Sequence, residues 1–297
     1  MIISRFIPDN LYVRYKYKRV MHKTLNLKNP RTFNEKLQWL KLNDRNPLYT
    51  TLVDKYEVKS YISDKIGDRY VIPTLGVWNN FEEIDFDRLP EQFVLKCTHD
   101  SGSVVIVKNK KDLNIESIRK KFESSLKKNF YYMGREWPYK NVKPRILAEK
   151  LMTDESGTDL LENIYETENK GREEELTDYK LMCFNGKVKC SFVCTDRFSK
   201  EGLRVTFFDT EWNILPFERH YPKSDRPIKQ PVNYKKMISL AEKLAEGIPF
   251  VRVDFYEVTD MIYFGEMTFF PGSGMEEFTP EEWDIKLGDW IHLTKFK

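Results

Sequence analysis

The stretch from residue 250 to residue 274 constrains the fold of this 297-residue chain more than any other segment. Apolar and polar residues alternate from Val251 to Tyr256, which is the period of a half-buried β-strand. A polar turn around Asp260 follows, and the run from Ile262 to Phe270 has the length to return antiparallel. The sequence therefore predicts a β-hairpin in this region.

The polar residues of this hairpin fall into a specific cross-strand register. A turn centred on Asp260 would place Asp254 opposite Glu266, and Arg252 opposite Thr268. Like charges in direct register are destabilising, so the two carboxylates need a cation between them. Mg²⁺, which takes one or two carboxylates and fills its shell with water and phosphate oxygens, is one candidate. Two alternatives stay open: Arg252 itself neutralises the pair, or a one-residue shift of the turn sends the carboxylates to opposite faces.

Composition and charge exclude several classes of protein. With 40% hydrophobic and 14% aromatic residues, the chain has the material for a large core and is too apolar to be disordered. The net charge of +3 gives no global field that would favour nucleic acid as a partner. The opening stretch up to Lys28 is strongly basic, which fits either a contact with an anionic substrate or membrane surface, or a solvated face.

The expected cellular compartment follows from targeting signals and cysteine usage. The first residues lack the apolar core and cleavage site of a signal peptide, and no run reaches the roughly 20 apolar residues of a membrane span. The four cysteines form no CxxC pair and lie in apolar, strand-like runs. These features predict a reduced, cytoplasmic protein without a membrane span.

Helical and strand patterns are mixed along the chain. Helices are expected in RTFNEKLQWLKLND, where Thr32 and Glu35 fit a capping box, and near residues 55–66, 113–130, 234–247 and after Thr279. Short strands are expected around Val71 and in FVLKC, VVIVKN and RILAEKLM. A hairpin is expected in DYKLMCFNGKVKCSFVCTDR, with Asn185-Gly186 at its turn, and a further pair of strands in LRVTFFDTEWNIL. Strict βαβ alternation is missing, so the predicted class is α+β with antiparallel sheets.

Three segments carry groups that suit phosphate chemistry. Lys96 ends an apolar strand and precedes a Ser- and Gly-rich loop whose backbone N–H groups would suit phosphate oxygens, although an ordinary hairpin turn fits equally. Glu149 interrupts the apolar strand RILAEKLM, where it would accept from an adenine amino group or simply face solvent. Lys180 lies one strand period from Asp178, and would reach a terminal phosphate or form an intrastrand ion pair.

Together, RTFNEKLQWLKL, LVDKYEVKSYI, FVLKCTHDSGS and RVDFYEVTDMIYFGEMTFFPGSG resemble the ATP-grasp superfamily, in particular its TupA-like, polysaccharide-biosynthesis branch. The resemblance implies two α+β subdomains that clamp ATP between antiparallel sheets, after a short helical N-terminal lead. It divides the chain into a lead (1–50), an N-terminal subdomain with the phosphate loop (51–148) and a C-terminal subdomain with the metal site (149–297).

The resemblance also implies a role for individual residues. Arg252 and Lys180 are expected to be catalytic, with Lys180 near the γ-phosphate. Asp254, Glu266 and Thr268 are expected to hold one or two Mg²⁺ ions, although many members have asparagine where this chain has Thr268. The residues expected to bind ATP are Lys55, Lys96, the loop His99, Asp100, Ser101, Gly102 and Ser103, the strand and hinge Glu149, Lys150, Leu151 and Met152, and Asp159 for the ribose.

The implied activity is that of an ATP-dependent carboxylate–amine ligase that forms an amide through an acyl phosphate. Its substrates would be a sugar carboxylate such as a uronic acid and an amine or amino acid, in bacterial capsule, O-antigen or related glycan synthesis. Peripheral contact with membrane-bound glycan machinery would fit that setting. Two alternatives stay open: a glycosyltransferase of the same pathway, for which Asp85-Phe86-Asp87 is the only D-x-D sequence, and a non-catalytic ATP-binding component of glycan assembly.

Overall fold

The computed structural model describes residues 3–152, 177–196, 199 and 202–293. Within these ranges the α-helices are α1 (Asp9–Met21), α2 (Phe33–Asn43), α3 (Leu48–Val53), α4 (Val58–Ile66), α5 (Ile115–Leu126), α6 (Tyr131–Gly134), α7 (Tyr234–Leu244) and α8 (Glu282–Asp289). The strands are β1 (Thr74–Trp78), β2 (Phe93–Cys97), β3 (Val104–Val107), β4 (Ile146–Lys150), β5 (Asp178–Phe184), β6 (Lys187–Thr195), β7 (Arg204–Phe208), β8 (Glu218–Arg219), β9 (Phe250–Val258), β10 (Met261–Thr268) and β11 (Phe278–Thr279).

The described strands form two main antiparallel sheets. The first has the order β1-β4-β2-β3 and the second the order β10-β9-β5-β6-β7, while β8 and β11 make a small third pair. This mixture of helices and antiparallel sheets confirms the α+β class. Strand β4 crosses the predicted boundary at residue 148 and pairs along its whole length within the first sheet. A division by sheets would therefore fall after β4, and the three-part division stays a prediction.

Local sequence signals explain where several elements begin and end. Helix α2 starts at a complete capping box between Thr32 and Glu35, as predicted. Helix α4 ends at Gly67, but it begins at Val58 rather than near residue 55. The strand expected around Val71 is wrong, because the N–H of Val71 closes a 3₁₀ turn on Asp68 and Pro73 has no N–H for a ladder. Strand β1 accordingly starts at Thr74.

Helices cover the outer faces of both sheets. On the first sheet, Ile118 and Phe122 of α5 pack against Phe93 and Leu95. On the second sheet, α2 and α7 bury their apolar faces in the main core, which also contains the inward residues of β5, β6 and β9. Burial of this apolar surface is the main stabilising contribution to such a fold. It leaves the opposite faces of the two sheets available to line a cleft.

The two hairpins of the second sheet have the turns that their sequences favour. Asn185 and Gly186 are both left-handed, with φ of 49° and 79°, which confirms the predicted Asn-Gly turn. Thr259 and Asp260 are also left-handed, with φ of 50° and 60°, so the β9–β10 turn is centred between them. The expectation that this turn is centred on Asp260 is therefore wrong.

A bulge at Gly265 restores the register that the sequence predicted. Phe264 pairs with Phe255 near the turn, and after the extra residue Gly265 the next pair is Glu266 with Asp254. The bulge also reverses the alternation of β10, because Phe264 packs into the main core while Glu266 lies on the cleft face. The predicted pairings of Asp254 with Glu266 and of Arg252 with Thr268 are confirmed, but the bulge produces them and not a turn centred on Asp260.

Among the described residues, no helix combines the length and the apolar character that crossing a bilayer requires.

Candidate active site

A cavity of about 520 Å³ lies between the inner faces of the two main sheets. The first sheet contributes Lys96 and Glu149 to its walls, and the second contributes Lys180, Arg252 and Glu266. A volume of this size is in the range of pockets that enclose small-molecule ligands and cofactors. The sequence-predicted residues of the two halves of the chain therefore meet across one cavity.

The inner face of the first sheet combines an apolar patch with a buried ion-pair network. The apolar patch consists of Val94, Val104, Leu151 and Ile106. Beside it, the carboxylate of Glu149 pairs with both Lys59 and Lys96. Burial by itself would raise the pKa of Glu149, but the two lysine charges outweigh it and lower that pKa. Glu149 is thus a buried anion, and the interpretation that places it in solvent is wrong.

The loop after β2 faces the cavity only at its centre. Asp100 and Ser101 line the cavity, and the carbonyl of Asp100 accepts a hydrogen bond from Lys55 Nζ. His99 and Ser103 instead turn towards α5, where His99 Nε2 lies 3.1 Å from the carbonyl oxygen of Ser125 and Ser103 Oγ lies 2.7 Å from Ser125 Oγ. The loop is therefore fixed at both ends, with Asp100 and Ser101 presented to the cavity.

The second sheet carries one continuous cross-strand row of side chains, of which Glu266, Lys180 and Phe192 line the cavity. The row consists of directly paired residues on five neighbouring strands: Glu266, Asp254, Lys180, Phe192 and Phe207. Charged groups occupy the first three positions and aromatic rings the last two. Neighbouring strands lie about 4.8 Å apart, so the charged end and the aromatic end of the row are close enough to lie in one cleft.

Arg252 joins the two carboxylates of this row. Its Nε and Nη2 atoms each lie 2.6 Å from an oxygen of Asp254, and Nη2 lies 2.7 Å from Oε1 of Glu266. Lys180 Nζ donates to Asp254 Oδ2 at 2.7 Å and also contacts Asp178. The structure thus bears out the alternative in which Arg252 neutralises the carboxylate pair.

Burial and charge shift the pKa values of this cluster in opposite directions. Burial raises the pKa of Glu266, but the charges of Arg252, Lys180 and Lys55 outweigh it and lower the value to about 2. Burial also dominates at Asp178, where it raises the pKa to about 6 against the opposing charge of Lys180. The row therefore keeps Glu266 ionised at neutral pH, as a metal ligand must be.

The oxygen donors of the row fit a hard cation. All contacts that described residues make with Glu266 fall on Oε1, including that of Thr268 Oγ1 at 3.1 Å, and the side chain is 47% exposed. Asp178 Oδ1 is buried without a hydrogen-bond partner among the described residues. Within the same ranges no group of three or more His, Cys, Asp or Glu residues is placed to hold a metal. Two carboxylates and a hydroxyl suit Mg²⁺, which keeps several waters and phosphate oxygens in its shell.

Of the other predicted residues, some line the cavity and others do not. Lys150 lines the cavity, whereas Leu151 and Met152 are buried beside it and Asp159 lies outside the described residues. His99, Gly102 and Ser103 are not among the described residues that line the cavity, and neither are the carboxylates of the Asp85-Phe86-Asp87 sequence.

Sequence reasoning missed four charged residues at the site. Lys59 lies in α4 and reaches Glu149 from that helix. Asp178 was noted only for its spacing from Lys180. Arg219 and Glu276 reach the cavity from β8 and from the loop after β10, and no sequence pattern links them.

The family assignment rests on sequence comparison. The family described as TupA-like ATPgrasp matches residues 35–163 and 158–292, which together span most of the chain. The chain belongs to the TupA-like ATP-grasp family. This membership confirms the predicted superfamily and the ATP-grasp fold.

Solved ATP-grasp structures are similar to parts of this TupA-like chain. D-alanine–D-alanine ligase from Bacillus anthracis complexed with ATP has 14% identity and a TM-score of 0.46, over 83% of this chain and 66% of that one. The ADP complex of PurK, N5-carboxyaminoimidazole ribonucleotide synthetase, has 16% identity and a TM-score of 0.44, over 79% and 50%. ATP-grasp ligase PsnB with minimal precursor, Mg and ADP has 13% identity and a TM-score of 0.40, over 79% and 57%.

The chain spans between half and about two thirds of the length of these three proteins. Among curated proteins, none matches it.

Proposed function

We propose that this protein is an ATP-dependent carboxylate–amine ligase. The observation that carries the proposal is that Glu266, Lys180 and Arg252 face Lys55 and Lys96 across one cavity, with Asp254 buried beneath them and paired with Arg252 and Lys180. Opposed cations and carboxylates of this kind suit a polyphosphate and its metal. Membership of the ATP-grasp family supports the same assignment.

ATP would lie with its base against the first sheet. The apolar patch Val94, Val104, Ile106 and Leu151 suits a flat ring, and the adjoining segment Glu149–Met152 would bind the adenine edge. Lys55, Lys96 and the loop around Asp100 and Ser101 would hold the phosphates. Asp254, Glu266 and Thr268 would hold Mg²⁺, which when bound would neutralise charge on the phosphates.

The residues of the second sheet would position and stabilise the reacting groups. An oxygen of the substrate carboxylate attacks the γ-phosphorus, the bond to the β-phosphate oxygen breaks, and ADP leaves. The amine then attacks the carbonyl carbon of the acyl phosphate, phosphate leaves, and the amine loses a proton to give the amide. Arg252 would stabilise the acyl phosphate and the tetrahedral oxyanion, and Lys180 the terminal phosphate.

A uronic acid is our proposed acid substrate, and bacterial surface-glycan synthesis on the cytoplasmic side of the membrane our proposed setting. Phe6, Leu11 and Tyr15 at the N-terminus are 83%, 56% and 65% exposed, and the basic residues Arg14 and Lys18 lie beside them. Exposed apolar side chains flanked by basic ones suit peripheral contact with an anionic membrane surface.

An ADP-release screen of uronic acids against amino acids and simple amines tests this function. We expect ADP release that requires ATP, Mg²⁺, an acid and an amine together, and that Arg252→Ala reduces strongly. Hydrolysis of a sugar nucleotide without ATP would instead indicate a glycosyltransferase. ATP binding without turnover for any pair would favour a non-catalytic component.

A further inference from the structure

Arg219 lies at the aromatic end of the cleft. None of the roles described above uses it. The residue is 6% exposed and lines the cavity from β8. Its guanidinium carbon lies 4.5 Å from the ring centre of Phe192 and 5.5 Å from that of Phe207. Two rings of the cross-strand row therefore hold this cation in position.

The polar atoms around Arg219 are not satisfied by the described part of the protein. Arg219 Nε lies 3.2 Å from Glu276 Oε2, but the two atoms are not aligned as a hydrogen bond. Nε and Nη1 of Arg219 and Oε2 of Glu276 are all buried without a hydrogen-bond partner among the described residues. Buried polar groups are normally hydrogen-bonded, so three such atoms at one place in a cavity indicate a site for a polar ligand.

The position of Arg219 relative to Arg252 limits what that ligand is. The guanidinium carbon of Arg252 lies 5.8 Å from the ring centre of Phe192, so both cations flank the same ring. Arg219 also contacts Phe207, which is one strand further from Asp254. A carboxylate bound at Arg219 is thus displaced from the charged end of the row, where the proposed phosphoryl transfer takes place. Such a carboxylate is distinct from the substrate carboxylate that receives the phosphoryl group, and it does not react.

We propose that Arg219 binds the carboxylate of the amine substrate, which makes that substrate an amino acid. A planar guanidinium matches a carboxylate in two parallel hydrogen bonds, and the neighbouring Glu276 supplies the opposite charge for the ammonium group. An α-amino acid carries both groups on one carbon, so a single ligand matches Arg219 and Glu276 together. This inference rests on the proposed ligase function and specifies its acceptor.

Kinetics with paired acceptors test this assignment. The acceptors are glycine, L-alanine, L-glutamate and L-lysine, each compared with its carboxamide, in ADP release with glucuronic or galacturonic acid. We expect the wild type to prefer an amino acid over its amide by at least tenfold in kcat/KM. Arg219→Ala should remove that preference by raising KM for the amino acid about 10- to 100-fold, with the KM values for the amide and the acid nearly unchanged.

Matched variants separate recognition from folding. Arg219→Lys keeps the charge but not the planar fork, so we expect an intermediate preference, and this variant decides the question if Arg219→Ala does not fold. Arg226→Ala removes an exposed arginine whose side chain is 65% accessible, and should behave as wild type. An unchanged preference in both Arg219 variants, or an increased KM for the acid instead of the amine, would overturn the proposal.

A binding measurement distinguishes failure of this inference from failure of the proposed function. If no pair of substrates releases ADP, the ligase function fails for these substrates, and calorimetric titration of the same amino acids and amides into the wild type then tests Arg219 directly. Binding of an amino acid, but not of its amide, that Arg219→Ala abolishes supports the site. Absence of amino acid binding to the wild type contradicts it.

Discussion

Arg252 is the residue that joins the two carboxylates of the candidate site. It holds Asp254 through two nitrogen atoms and Glu266 through one, and all three side chains lie on one face of the β9–β10 hairpin. Asp254 is almost fully buried, but it also pairs with Lys180. Loss of Arg252 therefore leaves Asp254 with a second cation, and we expect the fold to be retained.

The first prediction concerns this arginine. Arg252→Ala should lower the turnover of ADP release about 10²- to 10³-fold, as expected when one group that stabilises transition-state charge is removed. Arg252→Lys should recover only part of the rate, since lysine cannot form the bidentate contact with Asp254. Thermal unfolding verifies that both variants are folded. Turnover of the alanine variant within a few-fold of wild type would refute the assigned role.

The second prediction concerns Lys41, a buried lysine of α2. Its Nζ donates to the carbonyl and hydroxyl oxygens of Ser273 at 2.7 and 2.9 Å. Burial lowers its pKa to about 7, against the opposing charge of Glu136. Between pH 7 and about 10.4, the unfolded chain holds a proton on this lysine that the native protein does not. Stability attributable to Lys41 should therefore rise with pH in this window and be constant below it.

The measurement is the free energy of unfolding in urea between pH 6 and 9.5. The difference between wild type and Lys41→Met should change in favour of the wild type above pH 7, by up to about 1.4 kcal/mol per pH unit. Lys235→Met is the control, because the Lys235 side chain is 82% exposed. A difference that is independent of pH, or that falls as pH rises, would show that the Lys41 ammonium is not destabilised by burial.

At the scale of secondary-structure elements, the bulge at Gly265 decides the chemistry of the hairpin. A Cβ atom at this position would lie 3.0 Å from the Tyr256 ring and 3.2 Å from the Asp254 carbonyl oxygen, so the site favours glycine. If Gly265 were paired in a regular ladder instead of bulging, a turn between Thr259 and Asp260 would place Gly265 opposite Asp254 and send Glu266 to the core face. The bulge thus aligns the carboxylates.

The third prediction is that deletion of Gly265 is tolerated better than an insertion beside it. Deletion converts β9–β10 into a regular hairpin in which Glu266 still faces Asp254, so we expect a folded protein that binds ATP with Mg²⁺. Insertion of one alanine between Gly265 and Glu266 would move Glu266 out of register and should abolish that binding. Calorimetric titration of ATP compares the two. An equal loss of ATP binding in both variants would contradict this account of the register.

Elements that depend on local signals could be predicted from the sequence. The capping box of α2, the Asn185-Gly186 turn and the strand β2 all follow from neighbouring residues. The pairing of Asp254 with Glu266 was predicted correctly, although the turn and the bulge that produce it were not. A bulge depends on tertiary packing on both faces of a strand, which local periodicity does not report.

Contacts between distant segments could not be predicted in this way. Lys96 meets Glu149 because β2 and β4 are neighbours in the first sheet, and Lys59 reaches the same carboxylate from α4; the chain gives no local sign of either contact. Arg219 reaches the cleft through the short strand β8, whose partner β11 lies about 60 residues further along the chain. The family resemblance supplied the residues of known motifs, and it contained no information on Arg219.

At the scale of the whole molecule, the two sheets contribute different groups to the proposed site. The first sheet offers an apolar patch and lysines, and the second offers carboxylates, Arg252 and Lys180. A ligand that binds the native state and not the unfolded chain stabilises the protein by an amount that rises with the logarithm of its concentration, about 2.7 kcal/mol at 100 times its Kd. The fourth prediction is that ATP with Mg²⁺ raises the unfolding temperature of the wild type, and that Lys96→Met reduces this rise.

Calorimetric titration of a non-hydrolysable ATP analogue, with and without Mg²⁺, tests the central claim most directly. We predict one site per chain in the wild type, with affinity that falls at least tenfold when Mg²⁺ is removed, and a smaller effect of Mg²⁺ in Glu266→Gln, which loses one carboxylate ligand. Absence of binding to the wild type, or binding in which Mg²⁺ has the same effect on Glu266→Gln as on the wild type, would contradict the proposal that ATP and its metal bind between the two sheets.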